Sequence, residues 1–294
     1  MFMRCALENP IPLWQRNGTV RHLQLLLGVG LLIGNISRAQ TSPSLFETAV
    51  APQVTSRIDE LVFSKLQQLG IPPANLCSDG VFVRRVYLDV TGMLPTASEA
   101  SDFILSQKPD KRRLLIDRLL ERDEFADYWA MKWSDLLRVK AEFPINLWPN
   151  AAQAYHRWIH SSVRENKPYD QFARELLTSS GSNFRVGPAN FYRAMQNREP
   201  EGIAQTVALT FMGVRADKWS VEKRAGMAAF FSKVGAKSTG EWKEEIIFFD
   251  PEKTNTVVIA LVFPDGKAPA FSVSQDPRAI FADWLIGTSS GCSR

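Results

Sequence analysis

The chain has few of the residues that build metal and disulfide sites, with three cysteines and three histidines among its 294 residues. Cys5, Cys77 and Cys292 lie far apart and form no Cys-x-x-Cys spacing. This pattern indicates neither a disulfide framework nor a zinc cluster. A chain of this length can bury a core large enough to fold without disulfides. We therefore interpret Cys77 as a small apolar residue in a loop before a helix.

Two of the histidines, His156 and His160, lie four residues apart. This is the spacing of a zinc-binding helix, but zinc enzymes place a glutamate between the two histidines and a third ligand elsewhere. Here an arginine, a tryptophan and an isoleucine stand between them, and the remaining histidine, His22, lies near the N-terminus. The sequence predicts two partly exposed histidines, no metal site, no cofactor and no catalytic residue.

Long apolar runs are also missing, since Leu23–Ile33 is well short of the roughly 20 residues that span a bilayer. Three arginines precede this run, and Ser37-Arg38-Ala39 follows it as a small-x-small cleavage pattern. These features are typical of a secretory signal peptide. Residues 1–39 are predicted to be a cleaved signal, with a retained membrane anchor as the alternative. The protein is therefore predicted to be exported, to the periplasm or cell envelope.

Beyond residues 1–39 the chain carries nearly equal numbers of basic and acidic side chains. Residues 1–39 hold four arginines and one glutamate, which leaves 31 of the 35 basic and 30 of the 31 acidic side chains beyond them. A nucleic-acid-binding domain needs a basic patch on its folded surface. No nucleic-acid partner is predicted, and membrane contact is predicted only through the N-terminal signal or anchor.

What the sequence does contain is apolar spacing of three and four residues, which predicts helices over most of its length. The predicted fold is mainly α, a multi-helix domain with an aromatic-rich core and a small C-terminal β element. Residues 40–55 are predicted to be a linker, 56–235 a helical domain, 236–275 a small β-rich extension, and 276–294 the start of a following domain. In residues 81–90, β-branched side chains leave a strand as the alternative to a helix.

Two helical segments stand out for their apolar stripes. The first contains Phe125, Trp129, Trp133, Leu136 and Leu137 at helical spacing, which we interpret as core, since large aromatic side chains dominate core packing.

The second segment, 200–235, is predicted to be two helices joined by a polar elbow. Ser220 is the expected N-cap of its second helix and Gly235 the expected C-terminal stop.

The β element is predicted from two runs rich in β-branched and aromatic residues, Ile246–Phe249 and Thr256–Phe263, which are expected to form a hairpin or part of a sandwich. Glutamates at 241, 244 and 245 surround Trp242. They suggest a glycosidase carboxylate pair as one interpretation, but such a pair needs a defined separation across a cleft. The simpler interpretation is a solvated lead-in to a strand.

Four stretches carry a resemblance to a known family: Arg84–Thr96, Asp110–Arg138, Asn166–Gly181 and Ala208–Arg215. Together they resemble the secreted, cytochrome c-associated domain of unknown function that is abundant in planctomycetes, over roughly residues 58–253. The resemblance implies an exported protein, often with a cytochrome c domain before this domain and another domain of unknown function after it. It implies no reaction.

The chain departs from this family at the haem motif. Many members carry Cys-x-x-Cys-His directly after the segment that matches Gly213–Arg215, which supplies two attachment points and an axial ligand for c-type haem. Here Ala216-Asp217-Lys218 follows instead. A haem electron carrier is therefore the least favoured of the functions considered.

The last predicted helix, within Asp276–Ile286, resembles the opening of the family's following domain. It is amphipathic and has no evident packing partner in the sequence. We expect residues 276–294 to be the truncated start of that domain, from a shortened or frame-shifted gene.

The preferred function is an exported non-catalytic module, a scaffold or docking domain in an envelope or redox-associated assembly. Its expected partner is another protein or the missing C-terminal domain. The alternative is an accessory part of an extracellular polysaccharide-degrading enzyme. The sequence favours a protein that is not itself an enzyme.

Overall fold

The computed structural model describes residues 45–253, 260–270, 272 and 275–287. The signal prediction for residues 1–39, the first half of the run at 256–263 and the last residues of the chain lie outside this part. The described elements are α1 Arg57–Gln68, α2 Asp79–Thr91, α3 Ala97–Leu105, α4 Lys111–Leu120, α5 Asp123–Leu136, α6 Pro149–Arg164, α7 Tyr169–Thr178, β1 Gly181–Ser182, α8 Asn190–Arg193, α9 Pro200–Met212, α10 Val221–Ala229, β2 Val234–Ser238, β3 Glu245–Phe249 and α11 Pro277–Gly287. This confirms a mainly α fold. None of the helices in these ranges is long and apolar enough to cross a membrane.

Helix α1 begins as its sequence predicts. The Ser56 hydroxyl accepts a hydrogen bond from the Asp59 amide, and the Asp59 carboxylate accepts one from the Ser56 amide, which is a capping box. No residue of α1 is buried. The apolar face formed by Ile58, Leu61 and Leu69 is therefore left to solvent.

Helices α2, α3 and α4 share a small core. The segment that could have been a strand is helical, and Gly92 ends it in the left-handed conformation that glycine adopts without strain. The core consists of Val83, Val86, Tyr87, Phe103, Leu115 and Leu119. Asp79 of α2 pairs with Lys111 and Arg112 of α4, at 2.7 and 2.8 Å.

A second, larger core joins α5–α11 to the sheet, and it is rich in aromatic side chains as predicted. Tyr155, Tyr192, Phe230, Phe231 and Phe281 are among its largest fully buried members. Alanines on α5, α6 and α9 let the helices approach closely, and the rings fill the remaining space.

The two-helix segment at 200–235 differs from its prediction at its C-terminal end. Helix α9 ends at Gly213, which is left-handed, and the Ser220 hydroxyl caps α10. However, α10 ends at Ala229, so the predicted stop at Gly235 is wrong. Gly235 lies in β2 instead, where a Cβ atom would come within 2.7 Å of the Phe248 ring. Pairing with β3 overrides the helical spacing of Phe230, Phe231 and Val234.

The sheet has three antiparallel strands in the order β1-β3-β2. Ile247 is opposite both Gly181 and Ala236, so β3 is the central strand. The β character of β3 is confirmed, and its partners in the described sheet are the preceding strands β1 and β2. In the described part of that run, Leu261 and Phe263 are buried in the larger core without forming a strand.

Helix α11 finds the packing partner that its sequence left unidentified. Phe281, Ala282 and Leu285 are fully buried in the larger core, and the helix packs against α7. The Arg278 guanidinium pairs with Asp276 at 2.8 Å and donates to the Ser179 carbonyl at 2.9 Å. The assignment of 276–294 to a following domain stays a prediction.

Candidate functional site

The histidine pair on α6 is tied to its neighbouring helix. The two rings lie 6.2 Å apart, and Nε2 of His160 is 3.0 Å from Oδ1 of Asp127 on α5. Within the described residues, no group of three or more histidine, cysteine, aspartate or glutamate side chains is placed to hold a metal ion. His160 therefore contributes to the contact between α5 and α6.

The glutamates near Trp242 join the sheet to its surroundings. The Glu244 carboxylate accepts hydrogen bonds from the hydroxyls of Ser182 and Thr239, which lower its pKa. Glu245 lies between Arg198, at 2.6 Å, and Arg193, at 3.3 Å. Each carboxylate is thus held by hydroxyls or cations, and no opposed pair across a cleft is formed by these two residues.

Trp242 itself is 70% exposed, and Nζ of Lys243 lies 5.1 Å from the centre of its ring. It is an exposed ring whose face is contacted by a lysine. Cys77 is half-buried, and its carbonyl accepts a hydrogen bond from Arg112 at 2.7 Å.

The segment that follows Arg215 does not fit c-type haem. Ala216–Lys218 forms a single 3₁₀ turn whose first residue is buried, and it contains no cysteine or histidine. Both histidines in the described part of the chain lie on α6, where His160 is bonded to Asp127. The thioether attachment points and axial ligand that this haem requires are absent from the motif position.

The helix α5 stripe lines a cleft. We call this the aromatic cleft; its volume is about 170 Å³. Its walls are Phe125, Trp129 and Trp133 of α5, Ser162, Val163, Asn166 and Lys167 at the end of α6, and Tyr169 and Phe172 of α7.

The rings of the aromatic cleft are held in contact with one another. The Trp133 ring lies 5.1 Å from Phe172 and 6.0 Å from Tyr169, and the Trp129 ring lies 6.2 Å from Phe125. The Trp129 indole N–H donates to the Val90 carbonyl at 3.1 Å. These contacts fix the rings, so the cleft is pre-formed.

The charges at the rim of the aromatic cleft are paired. Nζ of Lys167 lies 2.7 Å from Glu175 and 5.1 Å from the centre of the Trp158 ring. Burial opposes the ionisation of Glu175, but its hydrogen bonds from Lys167 and Trp158 outweigh burial and lower its pKa. The cleft therefore presents aromatic faces and little net charge.

A second hollow of about 420 Å³ lies beside β2. Its cations have partners: Arg198 pairs with Glu245, and Lys253 donates to the Val234 carbonyl at 2.9 Å. The first contact joins the start of β3 to the segment before α9, and the second joins the segment after β3 to β2, so the cations of this hollow support the sheet.

The α1 apolar face, defined by Ile58, Leu61, Val62 and Leu69, is the third feature. The exposed fractions of Ile58, Leu61 and Leu69 are 72%, 57% and 58%. Most helices of this size bury such a stripe against a core. In α1 this stripe is instead exposed, since no residue of the helix is buried.

The sequence predicted the rings of the aromatic cleft but placed them in the core. Trp133 does pack against the core, whereas Trp129 is 38% exposed and Leu136 is 62% exposed. The apolar stripe of α5 is wider than the surface that α6 and α7 bury, so part of it stays exposed. The sequence feature that could have predicted the cleft was a second aromatic pair, Tyr169 and Phe172, directly after the turn that ends α6.

Comparison with models of protein families identifies a family for most of this chain. The model described as PSCyt2, protein of unknown function (DUF1549), matches residues 57–235, which is more than half of the chain. Comparison with curated proteins and with solved structures gives no match. The matched range covers α1 to α10 and reaches the start of β2. The chain therefore belongs to the PSCyt2 family, whose function is unknown.

Proposed function

We propose that this chain is an exported, non-catalytic docking module that joins copies of itself within a larger assembly of the cell envelope. Export is supported by the N-terminal pattern in residues 1–39. Docking is supported by one structural observation, the α1 apolar face. The proposed site of association is this face, and its proposed occupant is α1 of a second copy.

The length of α1 is the first argument. It has 12 residues, and an isolated helix of this length is only marginally stable in water. Its capping box stabilises the first turn, but none of its apolar side chains is buried. Covering the α1 apolar face therefore both removes apolar surface from water and stabilises the helix.

Charge complementarity favours a second copy as the occupant. The first turn carries Asp59, Glu60 and Arg57, which pairs with Glu60 at 2.5 Å, so this end keeps a net negative charge. The last turn carries Lys65. In an antiparallel pair, the acidic end of each helix lies beside Lys65 of the other. The two helix dipoles are also opposed in this arrangement, which is favourable.

The size of a stable interface requires more than α1 alone. Specific interfaces bury roughly 800 Å² on each partner. Further exposed apolar side chains lie in the flanking stretches, with exposed fractions of 55% at Val50, 53% at Val54 and 50% at Ile71. We propose that these flanking residues extend the α1 interface.

Export is tested by measuring the N-terminal residue of the protein recovered from a cell that secretes it. Cleavage after Ala39 predicts Gln40 as the first residue, seen by mass spectrometry. Recovery of the intact N-terminus in the membrane fraction would favour the retained anchor instead.

Self-association is tested by sedimentation equilibrium of the recovered protein. We expect a concentration-dependent dimer, and we expect Leu61→Glu to weaken it by about tenfold or more, because it places a charge in an apolar interface. Val221→Glu changes a similarly exposed residue, at 66%, on another helix and should leave the dimer intact. A wild-type protein that stays monomeric at millimolar concentration would overturn the proposal.

A further inference from the structure

The aromatic cleft has the size of a site for a single ring. Its volume of about 170 Å³ is well below the roughly 300–1,000 Å³ of pockets that enclose drug-sized ligands. Trp129 and Tyr169, on opposite sides of the cleft, are 38% and 42% exposed. A ligand in the cleft can therefore contact ring faces while the rest of it extends into solvent.

The polar groups of the cleft favour a neutral ligand with hydroxyl groups. Lys167 is the charged side chain in the lining of the cleft, and its ammonium is neutralised by Glu175 at 2.7 Å. The Asn166 side chain lines the cleft, and its amide has no hydrogen-bonding partner among the described residues. An amide offers both a donor and an acceptor, which matches a pair of adjacent hydroxyls.

We propose that the aromatic cleft binds one ring of a neutral oligosaccharide. The C–H bonds on the apolar face of a pyranose are weakly positive, and they are attracted to the negative face of an aromatic ring. In this arrangement Trp129 and Tyr169 contact the faces of the sugar, and the Asn166 amide bonds its hydroxyls. This site is separate from the α1 apolar face, and its occupation does not depend on self-association.

A proline-rich peptide is the competing ligand for an aromatic groove. Grooves that bind such peptides combine aromatic rings with donors for the peptide carbonyls. Here the Trp129 indole N–H is already bonded to the Val90 carbonyl. The Asn166 amide can both donate and accept, and a sugar hydroxyl uses both capacities, whereas the carbonyl of a proline-rich peptide uses only the donor.

The test measures binding of soluble, neutral hexasaccharides of glucose, mannose and xylose by calorimetry, with tryptophan fluorescence as a second signal. Two variants address the cleft. Trp129→Ala removes a ring face. Asn166→Gly removes the amide, and glycine is compatible with the positive φ of 49° at this position. Each variant is expected to weaken binding of the preferred sugar by about tenfold.

The matched control is Trp242→Ala, which removes an exposed ring away from the cleft and should leave binding unchanged. Near-UV circular dichroism establishes whether each variant is folded. If Trp129→Ala does not fold, the binding measured for Asn166→Gly tests the proposal by itself. Failure of all three hexasaccharides to bind at millimolar concentration would overturn the proposal. Binding that is lost in Trp242→Ala but kept in Asn166→Gly, or binding of a polyproline peptide alone, would overturn it as well.

Discussion

Helices α1 and α11 both carry apolar side chains at helical spacing, but the structure treats them in opposite ways. In α11, Phe281, Ala282 and Leu285 are fully buried, and even Arg278 is 2% exposed. In α1 no residue is buried. The apolar spacing in the sequence does not predict which of the two helices is buried. From the sequence, α11 was the helix that lacked an evident packing partner, yet it is the buried one.

The difference shows that an apolar stripe predicts that a helix face will be buried, but not which segment or partner buries it. Helix α11 is covered within the chain, by α7 and by Phe230 and Phe231 in the turn that follows α10. For α1 we propose cover from a second copy. The two helices should therefore respond differently to the same kind of substitution.

The largest effect is expected from Phe281→Ala. The Phe281 ring lies 5.3 Å from Phe230 and 5.4 Å from Phe231, so its removal leaves a cavity in the larger core. The free energy of unfolding should fall by about 3–5 kcal/mol, measured by urea denaturation. A loss below about 1 kcal/mol would mean that α11 is not part of the cooperative core.

A smaller but still large effect is expected from Asp276→Ala. The Arg278 guanidinium would remain buried without its carboxylate partner, and breaking a buried pair in this way costs about 3 kcal/mol. Asp283→Ala is the matched control, since Asp283 pairs with Arg174 at 2.6 Å where both side chains are exposed. That surface pair should contribute less than about 1 kcal/mol. Equal losses in the two variants would contradict the structural role of the buried pair.

The capping boxes of α3 and α1 allow a comparison through pH. A hydrogen bond from the Thr96 amide lowers the pKa of Glu99, and one from Arg122 lowers it further. Burial acts in the opposite direction, but the pKa still falls to about 2. Because this pKa is depressed in the folded state, the stabilisation by Glu99 is present above its unfolded pKa of about 4.3 and is lost as the pH falls towards 2.

We therefore expect Glu99→Gln to lower the free energy of unfolding by about 1 kcal/mol at neutral pH, with a difference that vanishes near pH 2. Hydrogen bonds from the Thr55 backbone and side chain likewise lower the pKa of Asp59 in α1. Asp59→Asn should instead change only amide exchange within α1, because that helix is not coupled to a core. A pH-independent difference for Glu99→Gln would argue against its ionic role.

The smallest effect is expected from Leu61→Ala. At concentrations where sedimentation shows a monomer, it should change the free energy of unfolding by no more than about 0.5 kcal/mol, since the side chain is 57% exposed. The same variant should weaken self-association. A large loss of stability in the monomer would mean that α1 is covered within the chain.

Much of the helical architecture could be predicted from local signals. Ser56, Ser220, Gly92 and Gly213 mark helix ends by side-chain caps or left-handed backbone, which depend only on neighbouring residues. The end of α10 could not be predicted, because Phe230, Phe231 and Val234 continue its helical spacing. Pairing with β3 decides it, and that pairing involves residues far apart in the chain.

The candidate sites show the same division. The sequence identified the rings at Trp129 and Trp133 but not the cleft, which requires Tyr169 and Phe172 from α7 to lie opposite them. It offered the glutamates around Trp242 as a carboxylate pair, but in the structure Glu244 is held by hydroxyls and Glu245 by arginines.

By itself, the sequence determined the helical class, most helix boundaries, the aromatic character of the core and the family resemblance. These follow from interactions among residues a few positions apart, such as caps and i, i+4 faces. Only the tertiary structure decided which apolar faces are covered, which strand pairs with β3 and where aromatic rings meet to form a cleft. These depend on contacts between distant segments, and the periodicity of one segment contains no information about its partner.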